Sequence, residues 1–351
     1  MSRWFFLTSL LFLGALAINE VRDRSFQTVL NAAIKTVLED TSSTGCLSKV
    51  HHNYYGSGSD YPYPSDRCTA AVWPTLESIQ AENSTIRQAI DTGRIVFGAQ
   101  FPSGHDVFNC TQDASVTDVA VYSCAGYDQD TAKCFIDAIN AHYGSSIKVY
   151  WRYSEWMADT NMVNNIVYNL LGYQFDGIFA SMTANPFTTW PAPWKRTMRV
   201  PRSSLVNFTC PYQAGGESAA AGNKASPVPL TSAAALNTSG VIIAVEAGTS
   251  MEDWVVNYAP LAQRISLTDG SLCVKLVLNG TAHAYLAPHL NIASDIQEYG
   301  SDQLHKVAVL TTDSYYSIGL RPTWPTASGA LRHAVPALAT LLVPAVLALL
   351  M

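Results

Sequence analysis

Apolar residues fall at helical spacing soon after the start of the chain. In "SFQTVLNAAIKTVLEDTSSTG", Val29, Ala33 and Val37 form one stripe and Leu30, Ile34 and Leu38 an adjoining one, with Gly45 just beyond. Residues 53–75 lose this rhythm. They are rich in Gly, Ser, Pro and Tyr and read as a linker or long loop. "STIRQAIDTGRIVFGAQF" then predicts a short helix, a turn at Gly93 and a buried strand at Ile95–Gly98. From Tyr127 the periods alternate. "DTAKCFIDAINAHYG" is a helix stopping at Gly144, "SIKVYWR" a strand, "MVNNIVYNLLGYQ" a helix and "FDGIFASM" a buried strand.

Residues 213–240 are Gly/Ala/Ser-rich and poor in large apolar residues, which suggests a crossing between two lobes. A second alternating unit follows. "GVIIAVEAG" is a strand, "TSMEDWVVNYA" and "SLCVKLVLNG" are helices, and "AHAYLAP" is a strand. "VAVLTT" and "YYSIGLR" close the ordered part as strands. Alternation of this kind predicts an α/β fold with largely parallel sheets. The 351 residues suffice for two domains.

The two ends have patterns of their own. Arg3 precedes the apolar run Trp4–Leu16, and Ala15-Leu16-Ala17 supplies small residues for cleavage, so residues 1–17 are expected to be a signal peptide. At the other end small residues Thr326–Ala330 precede Arg332-His333, and Ala334–Met351 is apolar throughout. Pro336 and Pro344 disfavour a spanning helix. Residues 326–351 therefore read as a glycosylphosphatidylinositol (GPI) attachment signal, with a tail-end transmembrane helix as the alternative. Both readings hold the body outside a membrane, and the GPI reading places it at the cell surface. A net charge of −6 leaves no basic footprint for nucleic acid.

An extracellular address makes the seven cysteines candidates for disulfides, with one left over. Cys46–Cys68 and Cys110–Cys124 are the short loops to test. The cysteine spacing fits no zinc motif, and His51-His52 lacks a third ligand, so neither metal nor cofactor is expected. Sequons occur at Asn83, Asn109, Asn207, Asn237 and Asn279. Glycans are expected on all but Asn207, which lies in a predicted buried strand.

Four stretches carry a resemblance: "AIDTGRIVFGAQF", "LLGYQFDGIFASMT", "VPRSSLVNFTCPY" and "VEAGTSMEDWV … CVKLVLNGTAHAYLAP". In this order they resemble the family 3 extracellular solute-binding proteins over about residues 86–320. That family has the type II periplasmic binding fold, shared by the ligand cores of ionotropic glutamate receptors. The resemblance implies a two-lobed α/β fold with an interlobe cleft. Lobe 1 would span 76–212, lobe 2 241–304, and 305–325 would return to lobe 1. It also implies a binding site. Arg202 would grip a ligand carboxylate, its planar fork donating two parallel hydrogen bonds. Gly248, Thr249 and Ser250 would present a helix N-terminus from the other lobe. Ser181 would offer its backbone carbonyl and Thr183 its hydroxyl. Trp156 stands where an aromatic wall is common, with core packing as the alternative.

The sequence also departs from the family. "ANPFTTWPAPWKRTMRVP" lengthens the segment before Arg202 and brings in Arg196 and Arg199 as rival clamps. The positions that would pair a ligand ammonium hold Gln100 and Ala287-Pro288 instead of acids, and an unpaired buried ammonium is costly. A carboxylate without an amine, or a small neutral polar compound, therefore fits at least as well as an amino acid. Glu246 stands where a basic residue is common. The family's two terminal helices are missing after the last strand, and residues 18–52 resemble them, which suggests a circular permutation joined through 53–75. The leading expectation is a GPI-anchored, non-catalytic solute-binding protein whose transporter or receptor is unspecified. The alternatives are a dehydratase acting on a cyclic carboxylate such as prephenate or arogenate, with Glu155, Glu246, His283 or His289 as acid or base, and a surface protein that has lost its ligand.

Overall fold

The computed structural model describes residues 24–56, 61–65, 68–80, 84–100, 107–114, 120–154, 166–171, 174–180, 182, 187–191, 197–201 and 206–321. The segments expected to be a signal peptide and a lipid-attachment signal lie outside these residues. Two helices open the described chain, α1 (24–39) and α2 (Cys46–Tyr55), followed by the short α3 (Leu76–Gln80). The first helix–glycine–strand unit comes next. α4 (Thr85–Thr92) is capped by Ser84, whose side chain accepts from Arg87 N, and it stops at Gly93, where φ is +67°. Only glycine takes that left-handed turn without strain. The chain then enters β1 (Arg94–Ala99), and a hairpin of β2 (Phe108–Gln112) and β3 (Tyr122–Ala125) follows. α5 (Tyr127–Tyr143) repeats the stop at Gly144, φ +65°, and leads to β4 (Lys148–Tyr153). β4 lies parallel to β1, with Ile95 opposite Val149 and Phe97 opposite Trp151.

After α6 (Ile166–Leu171), β5 (Gly177–Ile178) joins the other side of β1. β6 (Phe187–Pro191) and β7 (Thr197–Pro201) form a separate antiparallel pair, and β8 (Asn207–Phe208) returns to the main sheet. The second lobe is built from β9 (Gln213–Gly222), α7 (Ala233–Leu236), β10 (Ile242–Glu246), α8 (Ser250–Tyr258), β11 (Gln263–Leu267), α9 (Ser271–Leu278), β12 (Ala284–Pro288), α10 (His289–Tyr299) and β13 (Leu304–Tyr316). β14 (Gly319–Leu320) goes back to the first lobe. The result is a two-lobed α/β protein. One sheet has the order β2-β3-β4-β1-β5-β14-β8 and the other β11-β10-β12-β9-β13. β10, β11 and β12 are parallel, as the alternating pattern predicts, and β9 and β13 are antiparallel additions.

The stretch read as a crossing segment thus begins with a ten-residue strand, and this is why it lacks large side chains. Ala219, Ala220 and Ala221 are fully buried between β12 and β13. A Cβ on Gly222 would lie 2.7 Å from Val277 Cγ1, and one on Gly215 would lie 2.6 Å from the Tyr316 ring. Close cover from both sides leaves room only for small residues. β9 starts beside Tyr212 in the core of the first lobe and ends in the second sheet. β13 runs back along it, pairing Tyr316 with Gln213. Two antiparallel strands therefore join the lobes.

α1 and α2 pack on the first lobe. Phe26, Leu30, Ile34 and Leu47 share one core with Phe97 and Phe135. Burying each such side chain is worth roughly 1.5–3 kcal/mol. Two disulfides fasten this layer. Cys46 pairs with Cys134 and not with Cys68, because α2 lies against α5. Cys68 reaches Cys210 instead. The expected Cys110–Cys124 bridge is present and closes the β2–β3 hairpin. The stretch 53–75 is strapped down where it is described. Tyr61 is buried and donates to Tyr212 O at 2.8 Å, and Pro62 O accepts from Ala214 N.

Candidate functional site

Two loops face each other across the groove between the lobes. β1 ends at Ala99, and the next residue, Gln100, reaches to the other lobe. Its Nε2 donates to Thr268 O, just past β11, at 3.3 Å. Its Oε1 is buried and makes no hydrogen bond among the described residues. On the opposite lobe β10 ends at Glu246 and turns through Gly248, φ +75°, into α8.

Thr249 is the N-cap of α8. Its hydroxyl donates to Glu246 O at 2.6 Å and accepts from Glu252 N at 3.4 Å. Glu252 reaches back to accept from Gly248 N at 2.8 Å, so Thr249 and Glu252 close a reciprocal cap. Glu252 also accepts from Ser266 Oγ and faces Arg264. The helix start that the resemblance assigns to a ligand anion thus already holds a carboxylate of its own. Ser250 has the freer hydroxyl of the two, with a 3.4 Å contact to Met251 Sδ.

The remaining ligand-site expectations, Arg202, Thr183, Ser181 and Trp156, lie outside the described residues, as do Arg196 and Glu155. Met182, between Ser181 and Thr183, is buried, and its carbonyl accepts from Ser317 N. Arg199 sits on β7 opposite Thr189. Of the sequons, Asn83 is outside the described residues. Asn109 is exposed on β2. Asn237 and Asn279 each accept a backbone N–H through Oδ1, from Leu261 and Thr281, which leaves the Nδ2 that would carry a glycan. Asn207 lies half-buried on β8, and the Thr209 hydroxyl of its sequon is tied to Cys210 O and Ile318 N.

The candidate acid–base histidines differ. His283 is consumed by structure: Nδ1 accepts from Ile242 N at 2.8 Å and Nε2 lies 3.2 Å from Ala225 O. The pKa of His283 is lowered by burial and then by Lys224. His289 opens α10, and its Nδ1 lies 3.0 Å from Lys306 Nζ and 3.1 Å from Ser218 Oγ. Because an ammonium only donates, Nδ1 is the acceptor and the ring proton sits on Nε2. Burial, then Lys306, lowers this pKa as well. Cys273 is the unpaired cysteine. It is buried in the second lobe, and burial, reinforced by Glu246 and Asp269, pushes its thiol up to about 12. It is no nucleophile at neutral pH.

A half-enclosed cavity of 290 Å³ opens where the crossing strands leave the first lobe. Tyr55, Tyr127 and Tyr316 wall it on one side, and Pro288, His289 and Leu290 on the other. Gln213 stands between them, only 2% exposed, with its Oε1 accepting from Tyr127 OH at 2.9 Å. Sequence reasoning missed this site because its residues come from five separated stretches. One signal was present: a glutamine at the head of a strand that, Glu217 apart, is made of small residues.

No protein-family model and no curated protein matches the chain. Solved structures do overlap with it. The ancestral amino acid-binding protein AncCDT-1, a precursor of cyclohexadienyl dehydratase, aligns at 18% identity and a TM-score of 0.48 over 68% of this chain and 85% of that one. The P235GK mutant of ArgBP from T. maritima aligns at 16% identity and 0.48, over 67% and 85%. An ancestral arginine-binding protein bound to arginine aligns at 18% and 0.47, over 65% and 84%. Likeness at this level says nothing about what this chain binds.

Proposed function

We propose that the protein is an extracellular, lipid-anchored binding protein that closes its two lobes on a small polar ligand. The observation that carries this reading is the pair of separate sheets joined by β9 and β13, with Gln100 reaching across the groove to Thr268. Two strands make a hinge, and a bridging glutamine is what a closed groove needs. By the sequence resemblance, Arg202 grips the ligand's carboxylate. Gln100, Ala287 and Pro288 stand where an ammonium would need acids, so an organic acid without an amine is the favoured class. The packing of α1 and α2 into the first-lobe core supports the reading that the family's terminal helices now lead the chain. The apolar run Ala334–Met351 supports the anchor.

Thermal melting of the ectodomain, residues 19–325, with panels of carboxylates, amino acids and sugars tests the binding claim. A ligand at a hundred times its Kd adds about 2.7 kcal/mol to stability, and Arg202→Ala is expected to abolish that gain. A panel with no effect on the wild-type protein would refute the reading. Treatment of expressing cells with phosphatidylinositol-specific phospholipase C is expected to release the protein. Retention on the membrane would remove the anchor from it.

A further inference from the structure

We infer that the cavity beside the crossing strands is a second ligand site, for a small monocarboxylate with a one-ring or short apolar body and no amine. This goes beyond the Arg202 cleft, with which the cavity shares Pro288, and it rests on a different set of donors. The walls provide the apolar part: three tyrosine rings, Pro62, Leu290 and Val309. At 290 Å³ the space lies near the small end of ligand pockets, roughly 300–1,000 Å³.

The polar complement consists of donors. Gln213 lines the cavity and is 2% exposed, and its carbonyl oxygen is taken by Tyr127. Its Nε2 has no hydrogen-bond partner among the described residues, so the two amide protons are left for whatever fills the space. An oxygen-bearing ligand would accept from them in a largely buried setting, where such a bond counts for more than it does in water. The second set of donors is independent of the first. His289, Leu290 and Asn291 form the first turn of α10, and all three line the cavity. Pro288, the N-cap, offers no side-chain bond to them. Their N–H groups and the positive end of the helix favour an anion. His289 adds an Nε2 proton, because Lys306 fixes its tautomer from behind.

No residue that lines the cavity is acidic. An ammonium would enter without a partner, whereas a carboxylate meets donors from two directions. The same lining leaves a neutral alcohol with donors but no charge to stabilise.

The test uses the glycosylated ectodomain with sodium benzoate as probe and benzyl alcohol and benzylamine as controls. Titration calorimetry is expected to show benzoate binding at least about tenfold tighter than either control. Val309 is 47% exposed, so Val309→Trp can fill the mouth of the cavity without disturbing the core. It should abolish benzoate binding at an unchanged melting temperature. Gln213→Leu should weaken benzoate binding about tenfold if it folds, and Val309→Trp decides the matter if it does not. Equal binding of benzylamine, or no binding of benzoate, overturns the proposal. Loss of benzoate binding in Arg202→Ala with retention in Val309→Trp also overturns it. That result places the acid in the cleft and leaves the two-lobe reading standing.

Discussion

Single residues carry charge states that can be checked directly. His283 and His289 both have pKa values below the ordinary 6.5, through burial first and then through Lys224 and Lys306 respectively. The unfolded chain protonates these rings as pH falls through about 6.5, and the folded chain does so only at lower pH. The unfolded state then binds more protons, so stability drops as the pH is lowered through that window. Urea midpoints are expected to be lower at about pH 5.5 than at pH 7.5. His283→Gln should shrink the gap, because an amide can replace both backbone bonds. A gap unchanged by that substitution would show that His283 does not contribute. The cap of α8 is a second case. Glu252→Ala frees Gly248 N, Ser266 and Arg264 together and should cost about 1–2 kcal/mol in chemical denaturation. Residue types that punctuate the chain were legible in sequence: Gly93 and Gly144 end their helices because glycine takes a left-handed turn at the least steric cost. Gln213 was not, because its importance lies in a partner 86 positions away.

Elements were legible where burial was one-sided or complete. β1, β10 and β12 are short apolar runs covered on both faces over most of their length, while β4 alternates, burying Val149 and Trp151 and exposing Lys148 and Tyr153. β9 hid because close cover holds most of its positions to Ala, Gly and Ser, which leaves no run of large apolar residues to read. Gly222→Ala drives a Cβ to 2.7 Å from Val277, and a loss of roughly 1–3 kcal/mol in urea titration is expected. A neutral result would mean that α9 can move aside. β11 escaped for the opposite reason: as an edge strand it carries Gln263 and Arg264 exposed, which breaks the apolar pattern. The link from α2 to α5 was misread in the same way, since loop length in sequence favoured Cys68 while helix packing brings Cys134 to Cys46. Replacing both partners with serine should cost about 2–5 kcal/mol and lower the melting temperature of the first lobe.

At the scale of the whole molecule, the alternation of elements was enough to foresee two α/β lobes. The groove was only partly foreseen. The resemblance placed Gly248, Thr249 and Ser250 at a helix start, where Thr249 does cap α8, and Gln100 past β1, where its amide reaches Thr268 O of the other lobe. The cavity next to it needed three dimensions, because Tyr55, Tyr127, Gln213 and His289 meet only once both lobes are assembled. The hinge reading has its own test. Small-angle scattering of the ectodomain should give a smaller radius of gyration with a saturating cleft ligand than without it, and equal radii would argue against closure.

The three disulfides all lie in the first lobe, and the second lobe holds the one spare cysteine. A chain with an odd thiol that folds in an oxidising compartment, as the proposed extracellular role implies, risks mispairing. Cys273 escapes this only while α9 keeps it covered. The second lobe therefore guards its own chemistry by folding, and cysteine labelling becomes a clock for its opening. Alkylation of Cys273 should proceed at the rate at which that lobe unfolds and leave the first lobe untouched. Chains that open too soon during maturation would be trapped as covalent dimers.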